Sequence, residues 1–144
     1  MLLDVRQALA SRFEDFISKP AECIALTLPW PPSVNHSWIV RGKRVVVQEA
    51  VMLYRMKVLS IVKTARMNRT IHSKTINSPV AVMLECQKPD RRKRDIDNIE
   101  KQIYDSLTKA KVWKDDSQVQ VVLKYFGKNV RGGKVHVLIL PLEF

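Results

Sequence analysis

Only two of the 144 residues are cysteine, three are histidine and four are glycine, and the 14 acidic side chains are far outnumbered by 25 basic ones. Each shortage excludes something. Two cysteines cannot build the multi-bridge framework of a small secreted scaffold, and Cys23 and Cys86 both sit in apolar, strand-like segments that suit small buried hydrophobes. A reduced, cytoplasmic protein fits this usage. His36, His72 and His136 are scattered without the spacing of a zinc site. No apolar run approaches the ~20 residues that span a membrane. The start, MLLDVRQALASRFEDFIS, holds Asp4, Glu14 and Asp15 and lacks a basic block before its apolar part, unlike a secretory signal. No internal repeat or low-complexity tract is present.

What remains is a globular composition, 46% hydrophobic and 27% charged, in the size range of one compact domain. The formal charge of +11 is unevenly placed. Residues 1–22 hold three basic and four acidic side chains, residues 41–75 nine and one, and residues 88–134 thirteen and seven. A positive field over the middle and end of the chain suits a polyanion such as nucleic acid or an anionic membrane surface, the membrane reading resting on charge alone.

Leu2, Leu3, Val5, Leu9, Phe13, Phe16 and Ile17 recur at mostly helical spacing, which predicts an amphipathic helical extension over 1–21, ended by Pro20. The remainder, 22–144, reads as one domain. Glu22–Leu28 alternates as a strand and meets Pro29-Trp30-Pro31-Pro32-Ser33, whose prolines impose an extended loop. Trp38–Val40 and Val45–Val47 flank a basic hairpin tip, and residues 49–68 form a long basic helix with Val51, Tyr54, Val58, Ile61 and Val62 on one face. A strand over Pro79–Cys86 feeds a charged loop, a helix begins near Asp97 and runs to about Lys111, and strands follow at Val119–Phe126 and Lys134–Leu140. This order predicts a mixed α/β (α+β) domain, one mixed sheet flanked by helices.

The stretch Arg94-Asp95-Ile96-Asp97-Asn98 is the most informative. It sets two carboxylates against four consecutive cations, and Asp115-Asp116 follows about twenty residues later. A helix between them can fold the chain back so that Asp95, Asp97 and Asp116 meet. Crowded carboxylates raise one another's pKa unless a hard cation joins them, so Mg²⁺, or Mn²⁺ in its place, is implied. Such an ion lowers the pKa of water and orients a phosphodiester for hydrolysis. Taken singly, Asp97 also suits a helix N-cap, with Glu100 three residues on completing a capping box. Lys101 lies four residues beyond Asp97, placed either to stabilise a phosphate or to form a solvated ion pair.

Pro89-Asp90-Arg91-Arg92-Lys93-Arg94-Asp95-Ile96-Asp97-Asn98-Ile99-Glu100-Lys101, then Asp105-Ser106-Leu107-Thr108-Lys109-Ala110 and Val112-Trp113-Lys114-Asp115-Asp116-Ser117-Gln118-Val119, closely resemble the RusA family of Holliday-junction resolvases. Leu28–Asn35 resembles the family's opening strand and loop, so the resemblance covers about 22–144. It implies a homodimeric, Mg²⁺-dependent endonuclease that nicks four-way DNA symmetrically. Carried over by position, Asp95, Asp97 and Asp116 would bind metal and Lys101 would be the catalytic lysine, with Asp115 the less favoured carboxylate. Two departures are the extra N-terminal segment and Lys93 within a mostly arginine run, where a lysine cannot grip phosphate in the bidentate way an arginine does.

Lys88, Arg91, Arg92, Lys93 and Arg94 would draw the DNA backbone to the place of cutting. The helix 49–68 and Lys124, Lys128, Arg131 and Lys134 could extend that surface. Trp30, Trp38, Tyr104 and Trp113 suit core or dimer contacts better than base stacking. Two readings compete: a noncatalytic binder of branched DNA on the same basic surface, and a partner- or subunit-docking role for residues 1–20.

Overall fold

The computed structural model describes residues 23–33 and 38–142; the expected helix over 1–21 lies outside the described residues, as does His36. Strand β1 (Ile24–Pro29) leads through the proline loop to a hairpin of β2 (Trp38–Arg41) and β3 (Arg44–Val47). Gly42 stands at the hairpin tip with φ +63, a conformation glycine adopts at no steric cost. Helix α1 (Glu49–Met67) follows, then β4 (Val80–Gln87), helix α2 (Glu100–Lys109), β5 (Val119–Phe126) and β6 (Lys134–Pro141).

The four long strands form one mixed sheet in the order β1-β6-β4-β5. β6 runs antiparallel to both β1 and β4, whereas β4 and β5 are parallel because α2 crosses between them. The predicted mixed sheet with flanking helices is what the chain adopts, and the strands fall within a residue or two of the alternation. Both helices pack on one face. Val51, Tyr54, Val58 and Val62 of α1 and Ile103, Tyr104 and Leu107 of α2 are buried, and all but Val51 join Ile24, Leu28, Val82, Leu84, Cys86, Val137 and Ile139 in the main core. Among the described residues the other face holds a small cluster around Ala81, Leu140 and Leu142. No helix among the described residues is long and apolar enough to cross a membrane.

Several contacts close the end of α2 and tie it to α1. Lys111 takes a left-handed conformation (φ 58), and Val112 N–H donates to Leu107 O while Lys111 N–H donates to Thr108 O, the paired bonds that close a helix C-terminus. Arg66 of α1 donates to the Ala110 and Lys111 carbonyls at 3.2 and 2.9 Å, placing a cation at the negative end of α2. Trp113 is buried, donates Nε1–H to Thr108 Oγ1 at 2.7 Å and meets Tyr104 edge-on at 5.6 Å. Tyr104 and Trp113 are therefore core aromatics, as expected, and not base-stacking platforms.

Both cysteines are free, and burial pushes the Cys86 thiol up to about 11. An unreactive small hydrophobe is the result. His136 is held between Thr27 Oγ1 and Gln87 Oε1, each at 3.0 Å.

Candidate active site along helix α2

The parallel β4–α2–β5 unit decides where the acidic side chains lie. β4 ends at Gln87 and releases the chain into the loop 88–95; a short 3-10 turn (Ile96–Asn98) then leads into α2. The helix starts three residues later than the sequence predicts. Ile99, not Asp97, occupies its N-cap, and no side chain caps it. The expected Asp97–Glu100 capping box does not form. Both carboxylates meet another donor instead: Lys124, late in β5, places Nζ 2.9 Å from Asp97 Oδ1 and 3.0 Å from Glu100 Oε2.

The expected Asp97–Lys101 pair does not form either, since Asp97 lies outside the helix. Lys101 instead approaches Asp105 at 3.6 Å, one turn on, and its side chain remains 65% exposed. Asp105 also receives Arg55 from α1 at 3.8 Å.

Asp115 and Asp116 precede β5. Asp115 is committed to local structure: it caps the Asp116–Gln118 turn, exchanges bonds with Gln118 in a reciprocal capping box and accepts the Ser117 hydroxyl at 2.7 Å. The Ser117 bond, ahead of smaller effects, holds its carboxyl below the ordinary range. The capping box predicted at Asp97 thus belongs to Asp115. Asp116 is left exposed, and its carboxyl is raised, first by desolvation, then by the adjacent Asp115 and by Asp105, with Lys101 opposing. One helical turn beyond Glu100, Tyr104 carries its hydroxyl within the field of this acidic row. It is buried, has no hydrogen-bond partner among the described residues and feels the charge of both Glu100 and Asp116.

Asp97 and Glu100 thus converge on one cation, and Asp116 stands near Lys101 and Asp105. Asp95 is exposed between them and the basic loop, at the edge of an open cavity of about 510 Å³ that Trp30, Pro31, Lys93, Arg94 and Asn98 help to line. Among the described residues no three His, Cys, Asp or Glu side chains stand together as a ready metal set. The donor chemistry fits a hard cation nonetheless, because every candidate donor is a carboxylate oxygen and two of them already share a positive charge.

The basic loop divides into structural and free cations. Asp90 accepts Arg94 Nη2 at 2.9 Å and the Arg92 N–H at 3.0 Å, and Arg94 lies over the Trp30 ring at 5.5 Å. Lys88 lies over Phe126 at 5.0 Å. Arg91 and Lys93 are exposed.

This arrangement of carboxylates, one helix and an adjoining basic loop falls within residues 29–139, which match the family model for endodeoxyribonuclease RusA. The chain belongs to the RusA family. It is 41% identical over 118 residues to a protein named crossover junction endodeoxyribonuclease RusA in Escherichia coli K12, covering 82% of this chain and 94% of that one. A RusA of the same name from Enterobacteria phage 82 is 39% identical over 117 residues, 81% of this chain and 93% of its own. RusA of Escherichia coli O139:H28 is 36% identical over 118 residues, 82% of this chain and 94% of its own. The span matched by the family model contains every site residue singled out above and leaves out the N-terminal segment.

Two residues of the α2 site went unrecognised in the sequence. Glu100 reads as a capping partner and Lys124 as a peripheral DNA-binding cation. A signal existed for Lys124, because in VQVVLKYF it shares strand alternation with Phe126, which packs on the helix-side core.

Proposed function

We propose that this chain is a Mg²⁺-dependent endodeoxyribonuclease that resolves four-way DNA junctions by paired nicks in recombination and repair, acting as a homodimer. The observation that carries the reading is the row of carboxylates along α2 opening directly from the basic loop 88–94, within the span shared with RusA proteins. Family relatives are named as crossover junction endodeoxyribonucleases, which supports the same substrate here.

Asp95, Asp97 and Asp116 would hold Mg²⁺, or Mn²⁺ in its place. When bound, the ion supplies charge neutralisation at the phosphodiester and a more acidic water. The chain's own groups do the rest. Arg91 and Lys93 attract and align the DNA backbone. Lys101, exposed at the first turns of α2, donates to a phosphate oxygen as negative charge develops there. Arg94 and Lys88 are occupied by Asp90, Trp30 and Phe126, so they shape the loop and raise its potential without being free to track the DNA. A four-way junction has two-fold symmetry, and a two-fold dimer would present one such row to each of two opposed strands.

A second reading has its own support. Lys124 already neutralises Asp97, and no three-carboxylate set is formed among the described residues, as a noncatalytic binder of branched DNA would allow. One experiment separates them. The full chain is incubated with a labelled four-way junction and a matched linear duplex, in Mg²⁺ and in EDTA. Symmetric, metal-dependent nicks in the junction alone are expected. Tight binding without nicking in Mg²⁺ or Mn²⁺ would establish the binder instead.

A further inference from the structure

Lys124 presents an unusual arrangement for a strand residue. Its side chain is only 21% exposed, and its one ammonium serves two carboxylates from different elements, Asp97 in the turn before α2 and Glu100 in its first turn. Asp97 is 85% exposed and Glu100 31%, so the bridge faces outward along the acidic row. A second observation comes from the next turn of the helix. The Tyr104 side chain lies one helical turn beyond Glu100, is more than nine-tenths buried (8% exposed) and has an orphan hydroxyl within the fields of Glu100 and Asp116. A buried hydroxyl without a partner is costly, and a ligand or ordered water beside it would satisfy it.

We propose that Glu100 is a further carboxylate of the metal site and that Lys124 is a resident cation holding Asp97 and Glu100 together until a divalent ion displaces it. The proposal rests on the metal-dependent reading of the site. Two carboxylates, each within 3.0 Å of one ammonium nitrogen, are already gathered near each other, and a smaller ion with shorter bonds has to draw them further inward. The divalent ion must compete with that ammonium. Metal binding is therefore weaker than the carboxylates alone would give, and the Lys124 amine moves to solvent when the ion arrives. A residue with this role positions ligands and does not touch the scissile phosphate.

The test uses the full chain and Mn²⁺ as the probe, without DNA. Binding is read by calorimetry and by electron paramagnetic resonance of free Mn²⁺ for the parent protein, Lys124→Met, Lys124→Met with Glu100→Gln, and Asp97→Asn. Lys124→Met is expected to tighten Mn²⁺ about tenfold, or ~1.4 kcal/mol. Glu100→Gln in that background is expected to reverse most of the gain. Independently, amine labelling followed by mass spectrometry should find Lys124 slow to react without metal and faster with saturating Mn²⁺. The labelling uses unsubstituted protein, so it stands even if a variant folds poorly. If Asp97→Asn abolishes binding while Lys124→Met, with or without Glu100→Gln, leaves it unchanged, and Lys124 labelling ignores metal, this proposal is wrong and the metal-dependent reading survives. If no form binds Mn²⁺, both are wrong.

Discussion

Replacing Asp97 by Asn separates chemistry from binding with little risk to the fold. The side chain is 85% exposed and lies outside α2, in a turn it does not cap. It pairs with Lys124, which keeps Glu100 at 3.0 Å when Asp97 is neutral. An ion pair this open to water contributes well under ~1 kcal/mol, so thermal unfolding should hardly move. The formal charge of +11 rises by one unit, and every cation of the basic loop is retained. Junction affinity should hold or tighten slightly, since counterion release depends on the cations that meet phosphate.

Cleavage should behave quite differently. Removing groups that merely support metal ligands commonly costs about 10- to 100-fold, so loss of a direct carboxylate ligand should lower the single-turnover rate by more than about 100-fold. The assay pairs a gel-shift titration in EDTA with cleavage of the same labelled junction in Mg²⁺ at saturating protein. Cleavage within a few fold of the parent would remove Asp97 from the metal set. Affinity falling in step with cleavage would show that Asp97 serves DNA binding and not chemistry.

Lys101→Ala should slow cleavage by roughly 10²–10³-fold at saturating junction while leaving the Kd nearly unchanged, because the exposed lysine pairs with Asp105 and stands apart from the basic loop; an equal effect on Kd would refute a role in chemistry. Arg91→Ala with Lys93→Ala should make the log–log salt dependence of junction binding shallower by roughly 0.9 for every phosphate the two cations neutralise, with no change in thermal stability; an unchanged slope would place the DNA elsewhere. Asp90 is held below its ordinary value of 3.8, chiefly by the Arg92 N–H and then by Arg94. A lowered folded-state pKa means that its ionised form favours the ordered loop at neutral pH and that the benefit is lost as pH falls through the folded value. A carboxyl NMR titration should place its midpoint below that of an unstructured peptide of residues 86–96, and coincident midpoints would refute the loop contacts.

The fold was readable because its elements obey local rules. Period-two alternation marks Ile24–Pro29 and Lys134–Pro141, and a 3.6-residue period marks the Val51, Tyr54, Val58 and Val62 face of α1. Strand order is a different matter. Nothing near β1 announces that it pairs with β6, more than a hundred residues away in sequence, with Thr27 opposite His136. Nor does the sequence of β5 reveal that it closes a parallel edge against β4, a consequence of the α2 crossover and its burial.

The site shows the same division more sharply. Asp95, Asp97, Lys101 and Asp116 are recognisable from residue order within a contiguous block. What they do to one another depends on a strand that arrives later. An Asp three residues before a Glu is a helix-start signal only if no better donor reaches it, and Lys124 reaches both. The helix consequently begins at Glu100, Lys101 turns to Asp105, and the reciprocal cap forms at Asp115 and Gln118 instead. Assigning Asp115 to a cap strengthens the choice of Asp116 as the functional carboxylate of that pair, since a side chain already committed to Ser117 and a backbone N–H has less freedom to turn toward an ion. The acidic row is thus sorted by its competitors: Asp90 and Asp115 are bound into loops, Asp105 is shared between Arg55 and Lys101, and Asp95 and Asp116 remain open to solvent. Asp97 and Glu100 are gathered on a single charge at the α2 N-terminus.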